Sequence, residues 1–175
     1  MSMFTIIMIL FLLERADPSH VVNARCTVNF TVVNAGLEVE GTLKVKNANI
    51  RFDPENLPHA SIQVSADPSS IETGIGIRDK HLKRSDYFDT NIYPEIRLQS
   101  KSFHETGKNR FEGKFDLTIK STTRDITIPF SRKKKGEITF YEGDFEINRL
   151  DFNVGGQSLT LDETVRIKVS ASGEF

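Results

Sequence analysis

His81 and Ser85 stand four residues apart in the charged stretch IETGIGIRDKHLKRSDYFDTNIYPEI, residues 71–96. On a helix that spacing puts both side chains on one face. A histidine beside a hydroxyl is the start of an acyl-transfer site, which also needs an acid to orient the imidazole and donors for an oxyanion. The chain has no G-x-S-x-G elbow. Ser85 with Asp86 reads more economically as the start of the next turn. Metal chemistry is not expected either, because His59, His81 and His104 fall on different elements without H-x-H or C-x-x-C spacing. Gly74-x-Gly76 lacks the third glycine and the βαβ unit of a dinucleotide loop, so it reads as backbone freedom at a strand-to-helix junction. No cofactor is expected, and the single cysteine, Cys26, forms no intramolecular disulfide.

The same stretch gathers Arg78, Lys80, His81, Lys83 and Arg84 within seven residues, opposed locally by Asp79 and Asp86. Laid across the mouth of a barrel, Arg78, His81 and Arg84 could hold an anionic headgroup such as a pyrophosphate. The competing reading is salt bridging to loops, or plain solvation. Arg132-Lys133-Lys134-Lys135 reads as a solvated part of a hairpin. A helix of about nine residues is marginal in isolation. It has to dock, with Ile75, Ile77, Leu82, Tyr87 and Phe88 as the expected contacts. Tyr93-Pro94 then returns the chain to a strand.

The elements that would position this segment alternate with period two. Val28, Phe30 and Val32 share one face, then Leu37, Val39, Gly41, Leu43 and Val45 after the turn at Asn34-Ala35-Gly36. Ala48, Ile50 and Phe52 continue to the break at Asp53-Pro54, and Ile62, Val64 and Ala66 follow. Beyond the charged stretch Ile96 and Leu98 share a face that Ser100 and Ser102 extend. Phe111, Gly113, Phe115, Leu117 and Ile119 make a long strand. Next come Ile126, Ile128 and Phe130, then Ile138 and Phe140, then Phe145 and Ile147, and Val165, Ile167 and Val169 close the chain. These are about eight antiparallel strands with one helical interruption. With no second helix to cover an open sheet, a curled sheet that buries its own apolar faces is the economical fold, a barrel or a sandwich. An eight-stranded barrel is either filled by side chains or holds one small ligand. Gly41, Ala48, Ala66, Ser100 and Gly113 would leave room if they point inward.

A chain of 175 residues makes one domain with a real core. Thirteen Phe against three Tyr and no Trp suit a dry interior, packed or hollow. Residues 3–13, MFTIIMILFLL, are too short to span a bilayer as a helix and fit the core of an export signal. Residues 1–24 are therefore expected to be a signal segment, with Val22-Asn23-Ala24 a suitable cleavage site, and residues 25–175 the single domain. The chain carries a net charge of −1, and loss of residues 1–24 brings it near zero, which argues against nucleic-acid binding.

Several motifs occur here in one fixed order. They are Ser70-Ile71-x-Thr73, Arg78-Asp79-x-His81-Leu82, Asp86-Tyr87-Phe88-Asp89, and Tyr93-Pro94-x-Ile96 with Ser100 after it. With the closing stretch FEINRLDFNVGGQSLTLDETVRIKV, and with Gly41 and Phe52-Asp53, the set resembles the YceI-like polyisoprenoid-binding family over most of residues 26–172. Cys26 and Asn34 stand where members often carry histidines, and Ser121 where a glycine is common. The resemblance implies a lipocalin-like antiparallel barrel in the periplasm or secreted, with a short helical lid, non-enzymatic, carrying or storing a long isoprenoid-type lipid. The ligand wall would then be Val28, Phe30, Val32, Leu43, Ile50, Phe52, Ile62, Val64, Leu82, Phe88, Ile96, Leu98, Phe115, Leu117, Phe145, Ile147, Val165 and Ile167. A homodimer is compatible with this. The alternatives are an enzyme acting on a lipid or quinone through His81, and a ligand-free barrel acting through protein partners.

Overall fold

The period-two alternation becomes eight antiparallel strands in a computed structural model that describes residues 25–174; the expected export segment lies outside the described residues. The strands are β1 (Arg25–Asn34), β2 (Leu37–Arg51), β3 (Ser61–Glu72), β4 (Ile96–Gly107), β5 (Arg110–Ile119), β6 (Thr122–Lys135), β7 (Ile138–Asn148) and β8 (Leu161–Glu174). Each pairs with its sequence neighbours, and β8 returns to β1 with Val28 opposite Val169, so the sheet closes into an up-and-down barrel. Closure leaves no sheet edge unpaired around the ring, the usual reason such a sheet curls. The one α-helix among the described residues, α1 (Gly76–Leu82), lies in the β3–β4 connection.

The connections alternate between two ends. At one end lie the β1–β2 turn, α1, the β5–β6 turn and the β7–β8 connection with its 3₁₀ turn at Arg149–Phe152. The β1–β2 turn places Ala35 and Gly36 at φ 54° and 77°, the left-handed pair that matches strand twist in a tight hairpin. Its Ala35 N–H donates to the carbonyl of Thr160 across the mouth (2.7 Å). Lys120 Nζ donates to the carbonyl of Asn153 (2.9 Å), and the Gly155 N–H to that of Asp86 (2.8 Å), tying the other connections together.

The opposite end is a packed floor. Phe52 sits edge-on to Phe103, Phe111, Phe130 and Tyr141, with ring centroids 5.0 to 5.8 Å apart, the geometry that ring quadrupoles favour. Leu57 and Ala60 pack beneath, in and just after the 3₁₀ turn Leu57–His59.

Two glycines expected to leave space are filled instead. A Cβ on Gly41 would lie 2.2 Å from Cζ of Phe30, and one on Gly113 2.5 Å from the Phe115 ring. Each therefore seats an aromatic ring against bare backbone.

Register accounts for one change of face in the alternation and corrects it at two places. In β2 the pairing slips between Val45 and Asn47, which is why the inward face passes from Val45 to Ala48 and Ile50 on opposite parity, as the alternation along the sequence has it. In β4 a slip between Ser100 and Ser102 turns Ser102 outward and brings Phe103 onto the floor. The Ser100 hydroxyl there accepts the Ile62 N–H at 2.9 Å, one step beyond the last β3–β4 pair. β7 pairs with β8 without a slip, so one face cannot hold both Phe140 and Phe145. Thr139 and Tyr141 are buried, while Ile138 and Phe140 face outward, 43% and 38% exposed.

Candidate functional site

Between the aromatic floor and α1 the barrel is hollow, with a cavity of about 710 Å³, inside the usual range of small-molecule pockets. It exists because the floor collects the large rings at one end while the middle of each strand contributes Val, Leu and Ile. Val28, Phe30 and Val32 on β1 face Leu43 and Ile50 on β2, then Ile62 and Val64 on β3. The wall continues through Ile96, Leu98, Phe115, Leu117, Phe145, Ile147, Val165 and Ile167, with Leu82 and Phe88 from the α1 connection. Seventeen of the eighteen wall residues expected from the sequence thus line one cavity. Phe52 is the departure: it is buried in the floor cluster and does not line the cavity. Its place follows from the Asp53-Pro54 break, which ends β2 at Arg51 and folds the next residue across the barrel end.

Further residues complete the wall. Val39, Ala66, Ile119, Ile128 and Val169 continue the same alternation, so the strand pattern already contained them. Arg149 had no periodic signal. It is 5% exposed, and its guanidinium donates to the backbone carbonyls of Asp162, Val154, Gly156 (each 2.9 Å) and Leu161 (3.2 Å). Among the described residues it makes no ion pair; four carbonyl dipoles hold the charge and fold the β7–β8 connection around it. Gly155 is at φ 66°, and a Cβ there would lie 2.9 Å from the Tyr87 ring and 3.0 Å from an Arg149 nitrogen. The glycine lets the α1 connection close onto this loop.

The three headgroup candidates separate. Arg78 lines the cavity, but its Nε donates to the Thr73 hydroxyl and an Nη to the Thr73 carbonyl (2.7 Å each). Asp79 accepts the Thr73 N–H at 2.9 Å, so these three residues clamp the start of α1 to the end of β3. His81 also lines the cavity, pairs with Asp86 at 3.0 Å and meets the Tyr87 ring edge-on at 5.1 Å. Arg84 is exposed and does not line the cavity, because the chain turns away after Leu82. Ser85 makes no hydrogen bond to His81. The docking contacts divide as well. Leu82, Tyr87 and Phe88 are partly buried, whereas Ile75 and Ile77 are 53% and 84% exposed although they border the cavity. Ile75 is the N-cap and Ile77 the second residue of α1, so the exposed pair stands at the start of the helix and Leu82 at its end turns in.

Burial raises the Cys26 thiol above its ordinary range; it borders the cavity on β1. Burial likewise raises the Tyr141 phenol on the floor, with Arg132 beside it pulling the other way.

The model of the YceI-like domain matches residues 19–172. Protein YceI of Shigella flexneri is 26% identical over 157 residues, which cover 83% of this chain and 80% of that protein. A UPF0312 protein of Vibrio parahaemolyticus is 27% identical over 106 residues, 60% of this chain and 56% of the relative, so that match spans little more than half of its length. Among solved structures, BcnA of Burkholderia cenocepacia superposes with a TM-score of 0.80 at 25% identity, covering 85% of this chain and 96% of that one. A polyisoprenoid-binding domain from Saccharophagus degradans, described as implicated in plant cell wall breakdown, superposes at 0.67 with 11% identity, covering 87% and 96%. The match over residues 19–172 settles the kinship: this chain belongs to the YceI-like domain family.

Proposed function

We propose that the barrel binds, without chemical turnover, a long apolar lipid of the isoprenoid type, and that it carries or stores that lipid in the periplasm or outside the cell. The observation that carries the reading is the cavity of about 710 Å³, walled by aliphatic and aromatic side chains from all eight strands and closed at its floor. Burying apolar surface contributes about 25 cal/mol per Å², so a chain of methyl-branched units gains affinity in such a cavity without a polar anchor. Kinship with the YceI-like domain and the likeness to a polyisoprenoid-binding domain support the same ligand class. The polar groups beside the cavity suit structure better than catalysis: Arg78 and Arg149 are committed to backbone carbonyls, and His81 to Asp86.

The test is organic extraction of purified protein followed by mass spectrometry. One apolar lipid per chain is expected. Protein that yields none, and that takes up no polyprenol when refolded in its presence, sinks the reading. Replacing His81 by Ala should leave the lipid content unchanged.

A further inference from the structure

Seven large apolar side chains are exposed among the described residues, and five of them belong to the α1 end of the barrel. Leu37 beside the β1–β2 turn is 72% exposed, Ile75 and Ile77 are 53% and 84%, and Leu159 in the β7–β8 connection is 106%. Ile92 follows in the same connection as α1 at 67%. The other two, Ile138 and Phe140, lie on β7 at the opposite end. Elsewhere the outer wall is mainly polar; along β1, for example, Arg25, Thr27 and Asn29 are exposed while the intervening residues turn inward. The exposed apolar surface is therefore concentrated at the mouth. We propose that this mouth is a membrane-docking face, which seats Leu37, Ile75, Ile77 and Leu159 in the boundary layer of a phospholipid bilayer.

Two further observations select a lipid surface as the partner. First, Ile75 and Ile77 belong both to the rim and to the cavity lining. An apolar strip therefore runs from the cavity to the outside, and a tail passing from a bilayer into the barrel can follow it. Beside it stand Arg78 and His81, whose polar groups are held by Thr73 and Asp86. Second, cations stand beside the rim residues, although the end as a whole is mixed in charge, with Glu72, Asp151 and Asp162 exposed there as well. Asp79 is held by Thr73, and Asp86 faces His81. Lys80, three residues after Ile77 and so on the same side of α1, is exposed, as is Arg84; neither makes an ion pair among the described residues. Lys80 and Arg84 can each meet a lipid phosphate, while the exposed apolar residues of the rim carry the docking. The inference rests on the lipid-binding reading and adds where the ligand enters and leaves.

The chain contains no Trp, so a single introduced indole reports its own surroundings. Full-length Ile77→Trp and Leu159→Trp are mixed with vesicles of equimolar phosphatidylcholine and phosphatidylglycerol, with and without brominated acyl chains. Phe140→Trp, at the opposite end, is the control. It also reads any binding driven by the chain before Arg25, because Arg25 and Phe140 both pair with Ser172. At the rim the emission should shift to the blue, and brominated chains should quench it roughly twofold, with no change at Phe140→Trp. Joint replacement of Ile75 and Ile77 by Asp should weaken vesicle binding about tenfold with the circular-dichroism melt unchanged.

Rim indoles that stay in water, or equal quenching at Phe140→Trp, overturn the proposal. So does a blue shift that grows with protein concentration without vesicles, which would assign the rim to a second copy. Lipid recovered by extraction with an unresponsive rim defeats docking alone. A responsive rim on protein that binds no lipid defeats the cargo reading alone.

Discussion

Replacing Phe52 by Ala separates a packed floor from a hollow middle. The Phe52 ring is 8% exposed and meets four aromatic rings edge-on at 5.0 to 5.8 Å, so truncation opens a void that these neighbours, fixed on four different strands, cannot close. Losses of this kind run to about 3–5 kcal/mol. Phe145 is the matched control: it is only partly buried and borders empty cavity, so truncating it forfeits about 1 kcal/mol, roughly half the value of burying a Phe fully. The assay is urea unfolding of delipidated protein followed by circular dichroism, since bound lipid would add its own stabilisation. With a slope of about 2 kcal/mol per molar, Phe52→Ala should lower the midpoint by about 1.5–2.5 M and Phe145→Ala by about 0.5 M, at unchanged slope. Equal shifts for the two variants would refute the division of the barrel into floor and cavity. A shift in Phe52→Ala below that of Phe145→Ala would refute the packing of the floor itself.

Gly41→Val should destabilise by about 1–3 kcal/mol by overpacking and lower the lipid content, because the added carbons meet the Phe30 ring and drive it into the cavity; this is read by melting and extraction together. Arg149→Met leaves four carbonyls without their donor and should cost about 2–4 kcal/mol, with hydrogen exchange across residues 150–161 rising more than exchange in β5. Burial holds the Tyr141 phenol above its ordinary range, so its stabilisation is complete below the unfolded phenol's pKa and is lost as pH rises through the folded one. Alkaline unfolding should accordingly weaken in Tyr141→Phe, measured by melting from neutral pH upward; an unchanged profile counts against a buried phenol. The Cys26 thiol, raised by burial and bordering the cavity, should react slowly with a maleimide, faster as pH rises, and about tenfold more slowly once the barrel is loaded with polyprenol; a rate indifferent to lipid would place the ligand elsewhere.

Much of this protein was legible along the chain. Alternation of one apolar and one polar residue determined the eight strands and nearly the whole cavity wall, because a strand exposes successive side chains to opposite faces wherever it lies. The turn at Asn34-Ala35-Gly36 and the break at Asp53-Pro54 were legible for the same local reason: backbone geometry is a property of a few adjacent residues. Tertiary structure alone decided the rest. The slip at Ser100–Ser102 exchanges inner for outer face, and pairing is set by the neighbouring strand. Whether Gly41 and Gly113 left space depended on rings elsewhere: Phe30 on the neighbouring strand, and Phe115 with Phe103 from β4. Phe52 could have faced ligand or floor on alternation alone; four rings from strands distant in sequence made it floor. At the mouth, the apolar residues expected to dock the helix divide between inside and outside. Only the closed barrel decides that division, because it sets Ile75 and Ile77 on the rim between cavity and outside.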